Sequence, residues 1–247
     1  MARDIAHALD PVSFAIDCGL TTPDAWQATF LRDPPRRGLT LACRQSGKTE
    51  SCVLLACHVA HTEPNETIVV ISPAQRISSE FIRRAKQRYL QLPGATLAAD
   101  AVQKIEFPNG SRIIGLPGDA DTVRGIARVR MVLVDEAARC SDDIYTAVRP
   151  MLAVHPRGQL IGLTTGAAKQ GWFYEGWVGD AGFEKLQVTT DMCPRLTPEF
   201  LESERRALGE TAYRCEYGLE FLDNLEAAFD TELINGIFNP HLRALWA

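Results

Sequence analysis

Residues 38–60 constrain the fold of this 247-residue chain more than any other stretch. Gly38-Leu-Thr-Leu-Ala42 is a short apolar, β-prone run; a polar loop ending in Gly47 follows, and residues 51–60 are apolar enough for a buried helix. A strand that passes through such a loop directly into a helix gathers the loop's backbone N–H groups and the helix's unpaired N-terminal N–H groups around one point, where an anion is favoured. Ala42-Cys-Arg-Gln-Ser-Gly-Lys-Thr49 matches the phosphate-loop pattern GxxxxGK[ST], with Ala42 in place of the first glycine. In that loop Cys43, Arg44, Gln45, Ser46 and Gly47 wrap the phosphates, and Gly47 permits close backbone approach. Lys48 neutralises the β- and γ-phosphate oxygens, and the Thr49 hydroxyl helps to hold Mg²⁺.

The rest of the chain alternates strand and helix. Residues 67–72 (Thr-Ile-Val-Val-Ile-Ser) form a β-branched run suited to a strand buried on both faces, and residues 78–90 have helical spacing. Residues 105–114 read as a hairpin turning at Asn109-Gly110, and 131–134 and 160–164 as buried strands separated by a helix over 142–152. This order predicts an α/β fold: a mostly parallel central sheet flanked by helices, with the core at 38–190. An N-terminal helical segment (1–37) precedes the core. A helical lid or linker (191–247) follows, with helices at 198–208 and 211–220 and an irregular tail after Phe221.

Val132-Leu-Val-Asp135-Glu136 ends an apolar strand in two carboxylates, at the sheet edge where doubly wound folds collect ligands. Asp135 would reach the magnesium shell, and Glu136 would orient and polarise the attacking water. A carboxylate pair starting a helix is common by itself; together with the Gly-Lys-Thr loop it completes a site for hydrolysing ATP or GTP. Two arginines are candidates to meet the transition-state charge: Arg44 inside the loop, and Arg124 in Asp121-Thr-Val-Arg-Gly125, which a neighbouring subunit could receive. Thr164-Thr165-Gly166 ends its strand with two hydroxyls and a glycine, able to sense the γ-phosphate through a water.

Other features read as structural. His58, His61 and His155 lack the companions of a metal site, and the basic run Arg83, Arg84, Lys86 and Arg88 reads as a solvated helix face more readily than as a phosphate-backbone contact. Seven cysteines without paired spacing fit reduced thiols. With no apolar run near bilayer length and no secretory pattern at the N-terminus, a cytoplasmic protein without membrane contact is expected. The net charge of −5 leaves room for a local basic stripe on nucleic acid.

Across residues 26–229 the arrangement resembles the ATPase domain of the phage large terminase subunit, the motor that packages double-stranded DNA into capsids. The family's loop commonly carries Arg-Gln ahead of Gly-Lys, as Arg44-Gln45 does here. The resemblance implies a RecA-like P-loop NTPase fold of the ASCE class and ATP with Mg²⁺ as ligands. It further implies adenine recognition by Trp26-Gln27, a Walker B pair at Asp135-Glu136, a coupling motif at Thr164-Thr165-Gly166 and a trans-acting arginine finger at Arg124. The partners it implies are double-stranded DNA, the portal of the procapsid, the small terminase subunit and like subunits in an active ring; a monomer in isolation is compatible with it. The setting is then the host cytoplasm. A nuclease domain, which large terminases carry C-terminally, is expected to be absent, since the chain ends at Ala247 soon after Phe229-Asp230. Two alternatives stay open: a helicase-like, nucleic-acid-dependent ATPase, and an assembly module that binds nucleotide without hydrolysing it.

Overall fold

The computed structural model describes residues 2–123 and 125–223. Arg124, most of the tail expected after Phe221 and the Phe229-Asp230 linker lie outside the described residues.

Three short helices open the chain: α1 (Ala2–Leu9), α2 (Pro11–Asp17) and α3 (Ala25–Arg32). Asp10 caps α2, accepting from Val12 N at 3.2 Å, with Pro11 at the first position, where its missing N–H costs nothing. Gln27 Oε1 accepts from Asp24 N at 2.9 Å and closes the start of α3. Then follow β1 (Arg37–Ala42), α4 (Lys48–Thr62), β2 (Thr67–Ser72) and α5 (Gln75–Tyr89). After them come β3 (Ala99–Ala101), β4 (Lys104–Glu106), β5 (Arg112–Pro117), the short α6 (Ala120–Val123) and β6 (Met131–Asp135). The remainder is α7 (Asp142–Ala153), β7 (Gln159–Thr164), α8 (Gly171–Val178), β8 (Glu184–Val188), α9 (Pro198–Leu208) and α10 (Glu210–Glu216).

The strands form one sheet in the order β3-β4-β5-β2-β6-β7-β1-β8. From β5 to β8 every neighbouring pair is parallel, while β3 and β4 add an antiparallel edge. Helices α4 and α5 cover one face, with α1–α3 packed over α4; α7 and α8 cover the other. Such two-sided cover explains why β2 and β7 are buried along their whole length. Phe14, Trp26, Phe30 and Leu31 of the N-terminal helices join the same apolar core as the strands. Strand β7 lies between β1 and β6, so the strand leading into the phosphate loop and the one ending in Asp135 are separated by one additional strand. This is the α/β P-loop NTPase arrangement with its additional strand.

The hairpin expected at Asn109-Gly110 forms, with Gly110 N bonded to Phe107 O and Gly110 at φ +85°. Four elements differ from expectation by being there: β3, α6, α8 and β8. Strand β8 is a sheet edge whose first two residues are exposed, so Glu-Lys-Leu-Gln-Val carries no apolar run. Helix α8 is short and contains Gly171 and Gly176. Helix α10 stops at Glu216, short of the expected 220, because Gly218 folds back to bond Tyr213 O and Leu219 takes φ +61°.

Candidate active site

The site forms at the C-terminal ends of β1, β6 and β7. After Ala42 the chain turns with Gln45 at φ +60° and Gly47 at φ +90°, and α4 begins at Lys48. Left-handed residues interleaved with ordinary ones fold successive N–H groups into a concave, anion-binding nest. Ser46 is fully buried and its Oγ has no hydrogen-bond partner. The Cys43 thiol, buried beside Cys193, is pushed up to about 12 by desolvation and remains a thiol at neutral pH.

Two contacts join this loop to the end of β6. Thr49 Oγ1 lies 3.3 Å from Asp135 Oδ2 and 3.4 Å from Oδ1, and Lys48 Nζ lies 3.3 Å from Glu136 Oε1. Asp135 is 4% exposed; burial, and secondarily the neighbouring Glu136 carboxylate, push its pKa up to about 6 against the opposing pull of Lys48 and Thr49. Hard oxygen donors on a hydroxyl and a carboxylate suit Mg²⁺, which keeps most of its remaining ligands as water and phosphate. Glu136 sits in the left-handed region at φ 53°, ψ 46°, unusual for a residue with a side chain, and its Oε2 is buried without a hydrogen-bond partner. Thr164, the last residue of β7, and Thr165 after it are fully or almost fully buried, and Thr164 Oγ1 also lacks a hydrogen-bond partner.

The C-terminus of α10 closes over the loop. Arg44 N donates to Glu216 O at 2.8 Å and Gly166 N to Cys215 O at 3.1 Å. A Cβ on Gly166 would stand 2.3 Å from Cys215 O and 2.4 Å from Glu220 O, so only glycine fits. Arg44 keeps half its side chain exposed, with Nη1 4.0 Å from Glu216 Oε1. Arg139, which belongs to no sequence motif, donates to the same Glu216 oxygen at 3.2 Å and comes within 3.9 Å of Glu136 Oε2. Its sequence signal was proximity alone: it follows Glu136 by one 3-10 turn, Ala137–Arg139. A groove of about 990 Å³ runs between this turn, Gly166 and α10.

Gln27 lies on the far side of the loop, 2% exposed, with Nε2 donating to Ser51 Oγ at 3.1 Å. Trp26 turns from the loop toward a separate groove against β8. The histidines serve structure: His58 Nε2 lies 2.9 Å from His7 O, His61 Nδ1 3.3 Å from Tyr89 Oη, and His155 Nε2 3.0 Å from Glu66 Oε2. Arg83 and Arg84 pair with Glu80, Lys86 with Asp100 and Arg88 with Glu50, so intramolecular carboxylates answer this basic helix. All seven cysteines are free and buried, and among the described residues no helix is long and apolar enough to cross a membrane.

Comparison with known proteins agrees with this geometry. The family "Terminase large subunit, T4likevirus-type, N-terminal" matches residues 39–235. Among solved structures, the Thermus phage P74-26 large terminase ATPase domain superposes with a TM-score of 0.70 at 22% identity, covering 81% of this chain and 94% of that one. The bacteriophage HK97 large terminase gives 0.65 at 16% identity, over 88% of this chain and 54% of that one. A large terminase from a thermophilic bacteriophage, in complex with ATP-gamma-S, gives 0.66 at 14% identity, over 81% of this chain and 53% of that one. The chain thus spans nearly all of the P74-26 ATPase domain and about half of each of the other two proteins. No curated protein matches the sequence.

Proposed function

The chain belongs to the T4-like type of terminase large subunits, matching their N-terminal part, and from that premise we propose that it is the Mg²⁺-dependent ATPase of a motor that drives double-stranded DNA into a viral procapsid. One observation carries the residue roles: the phosphate loop and the end of β6 meet through two specific pairs, Thr49 with Asp135 and Lys48 with Glu136. Each pair brings together one part of a phosphoryl-transfer site.

ATP settles with its phosphates in the N–H nest of residues 43–48. Lys48 leaves Glu136 for the β- and γ-phosphate oxygens, since a phosphate cluster attracts an ammonium more strongly than a single carboxylate does. Thr49 Oγ1 and Asp135 would hold Mg²⁺, which when bound neutralises charge on those oxygens and orients them. Glu136, released from Lys48, accepts a proton as water oxygen bonds to the γ-phosphorus and the bond to the β-phosphate oxygen breaks. Arg44, 4.0 Å from Glu216 in this structure, turns to the γ-phosphate. Arg124 is proposed to act from a neighbouring subunit in a ring. Gln27 reads adenine: its Oε1 and Nε2 each use one bond, to Asp24 N and Ser51 Oγ, and each retains one hydrogen-bonding valence. Residues 38–190 then act as the ATPase core and 191–247 as a lid, with the portal and the small terminase subunit as partners.

Phosphate release measured with Mg²⁺ or EDTA, in the presence of duplex or single-stranded DNA, tests the proposal. Mg²⁺-dependent turnover stimulated by duplex is the expected result. Stimulation by single strands alone would favour a helicase-like ATPase, and tight ATP binding without phosphate release a non-hydrolysing assembly module.

A further inference from the structure

The segment between β8 and α9 carries a cation that the roles above leave unused. Arg195 follows a 3-10 turn, Thr190–Met192, and lies just ahead of Thr197, the N-cap of α9. Its Nη1 donates to Asp24 Oδ2 at 2.5 Å and its Nη2 to the backbone carbonyl of Ser46. A Cβ on Gly47 would lie 3.1 Å from Arg195 Nη2 and 2.7 Å from Gln27 Nε2, so the guanidinium and the carboxamide converge on one point beside the phosphate loop.

The ion pair with the little-exposed Asp24 carboxylate stabilises the guanidinium there, but against an electrostatic cost. Gly47 is the N-cap of the 15-residue helix α4, whose positive dipole end already faces Lys48. A second cation is repelled by both, and without a ligand only its bonds to Asp24 and Ser46 O offset that repulsion. A bound anionic ligand reverses that balance.

The side of the loop on which Arg195 sits decides which part of the ligand it meets. Peptide C=O and N–H groups point in opposite directions, so a guanidinium bonded to Ser46 O stands outside the cradle of N–H groups, away from the β- and γ-phosphates. On that same side lies Gln27, proposed above to read adenine, whose Nε2 approaches Gly47 together with Arg195 Nη2. The guanidinium is planar, 44% of the Arg195 side chain is exposed, and Asp24 fixes its orientation, as stacking on an aromatic face requires.

Accepting the ATPase reading, we propose that Arg195 is a nucleotide-binding residue that clamps the base end of the ligand, its plane against the purine whose edge Gln27 contacts. The nucleotide then ties α3 and the phosphate loop to the chain segment that enters α9 and α10.

Equilibrium binding of ATP, ADP and tripolyphosphate to the wild-type protein, Arg195→Ala and Arg195→Lys, together with melting temperatures without ligand, tests this. Arg195→Ala is expected to weaken ATP and ADP alike by about tenfold, leave tripolyphosphate affinity unchanged, and raise KM for ATP at constant kcat. Arg195→Lys is expected to restore the melting temperature through its ion pair with Asp24, and to leave nucleotide affinity low. Unchanged ATP affinity in Arg195→Ala, equal weakening of all three ligands, or full rescue of affinity by lysine would each overturn the assignment. Wild-type protein that binds neither ATP nor tripolyphosphate would overturn the ATPase reading itself, and this inference with it.

Discussion

Asp135 and Glu136 are consecutive carboxylates held in different ways, and their substitutions should separate accordingly. Burial raises the Asp135 pKa from an ordinary 3.8 to about 6. A carboxyl raised on folding costs nothing below pH 3.8, where both states are protonated; the cost grows as pH rises and is complete above about 6. In metal-free, nucleotide-free protein, Asp135→Asn should therefore increase stability at neutral pH by about 2–3 kcal/mol and gain nothing near pH 3.5. Thermal denaturation in EDTA across that range measures it, and a gain of equal size at both ends would refute the account. Activity should move the other way, since Asn is a poor Mg²⁺ ligand. Glu136→Gln keeps the shape of a side chain that is proposed to take a proton. Turnover should fall at least about 100-fold with ATP affinity within a few-fold of wild type; turnover near wild type would remove Glu136 from the role.

At the scale of elements, Gly166 packs tightly beneath the end of α10. Gly166→Ala puts a methyl group 2.3 Å from Cys215 O, and a backbone carbonyl has no flexible end to withdraw, so the end of α10 must lift. The expected cost is about 1–3 kcal/mol, with faster amide exchange in α10 while β6 and β7 stay protected. Unchanged exchange in α10 would mean that the helix does not depend on this contact. The fit was invisible in the sequence, where Thr164-Thr165-Gly166 reads as a strand end and gives no hint of which helix returns to it. Buried strands with continuous apolar runs, such as β2 and β6, were legible, and so were the Gly-Lys-Thr loop and the Asp135-Glu136 pair, because local chain geometry carries them. Arg139, Arg195 and Glu216 were not. They reach the site from a 3-10 turn, an irregular segment and a helix end, and only the folding of β6, β8 and α10 around the loop brings them there. Strand β8 failed for a related reason: an edge strand exposed at its start leaves no apolar signature to read.

The whole molecule raises the question of what completes the site. Arg44 belongs to the phosphate loop itself, yet in this structure it is half exposed and faces Glu216, whose other partner is Arg139. On the proposed roles, a protomer whose loop arginine stays on the Glu216 side should hydrolyse ATP slowly until that contact is displaced or a second guanidinium is supplied. Arg124, proposed as that second group, would come from a neighbour, which makes assembly and hydrolysis one equilibrium. Activity per subunit should then rise with protein concentration, by ~10³-fold or more between isolated and fully assembled protein if the arginine contributes as trans-acting fingers do. Arg124→Ala should flatten that rise without lowering ATP affinity at high dilution. Steady-state hydrolysis over a wide concentration range, with the oligomeric state followed by light scattering, reads both outcomes. Constant activity per subunit while subunits demonstrably associate would leave Arg44 as the finger and make each site self-sufficient. In that case Glu216→Gln, which weakens the hold on Arg44 and Arg139, should raise the basal rate of the dilute protein.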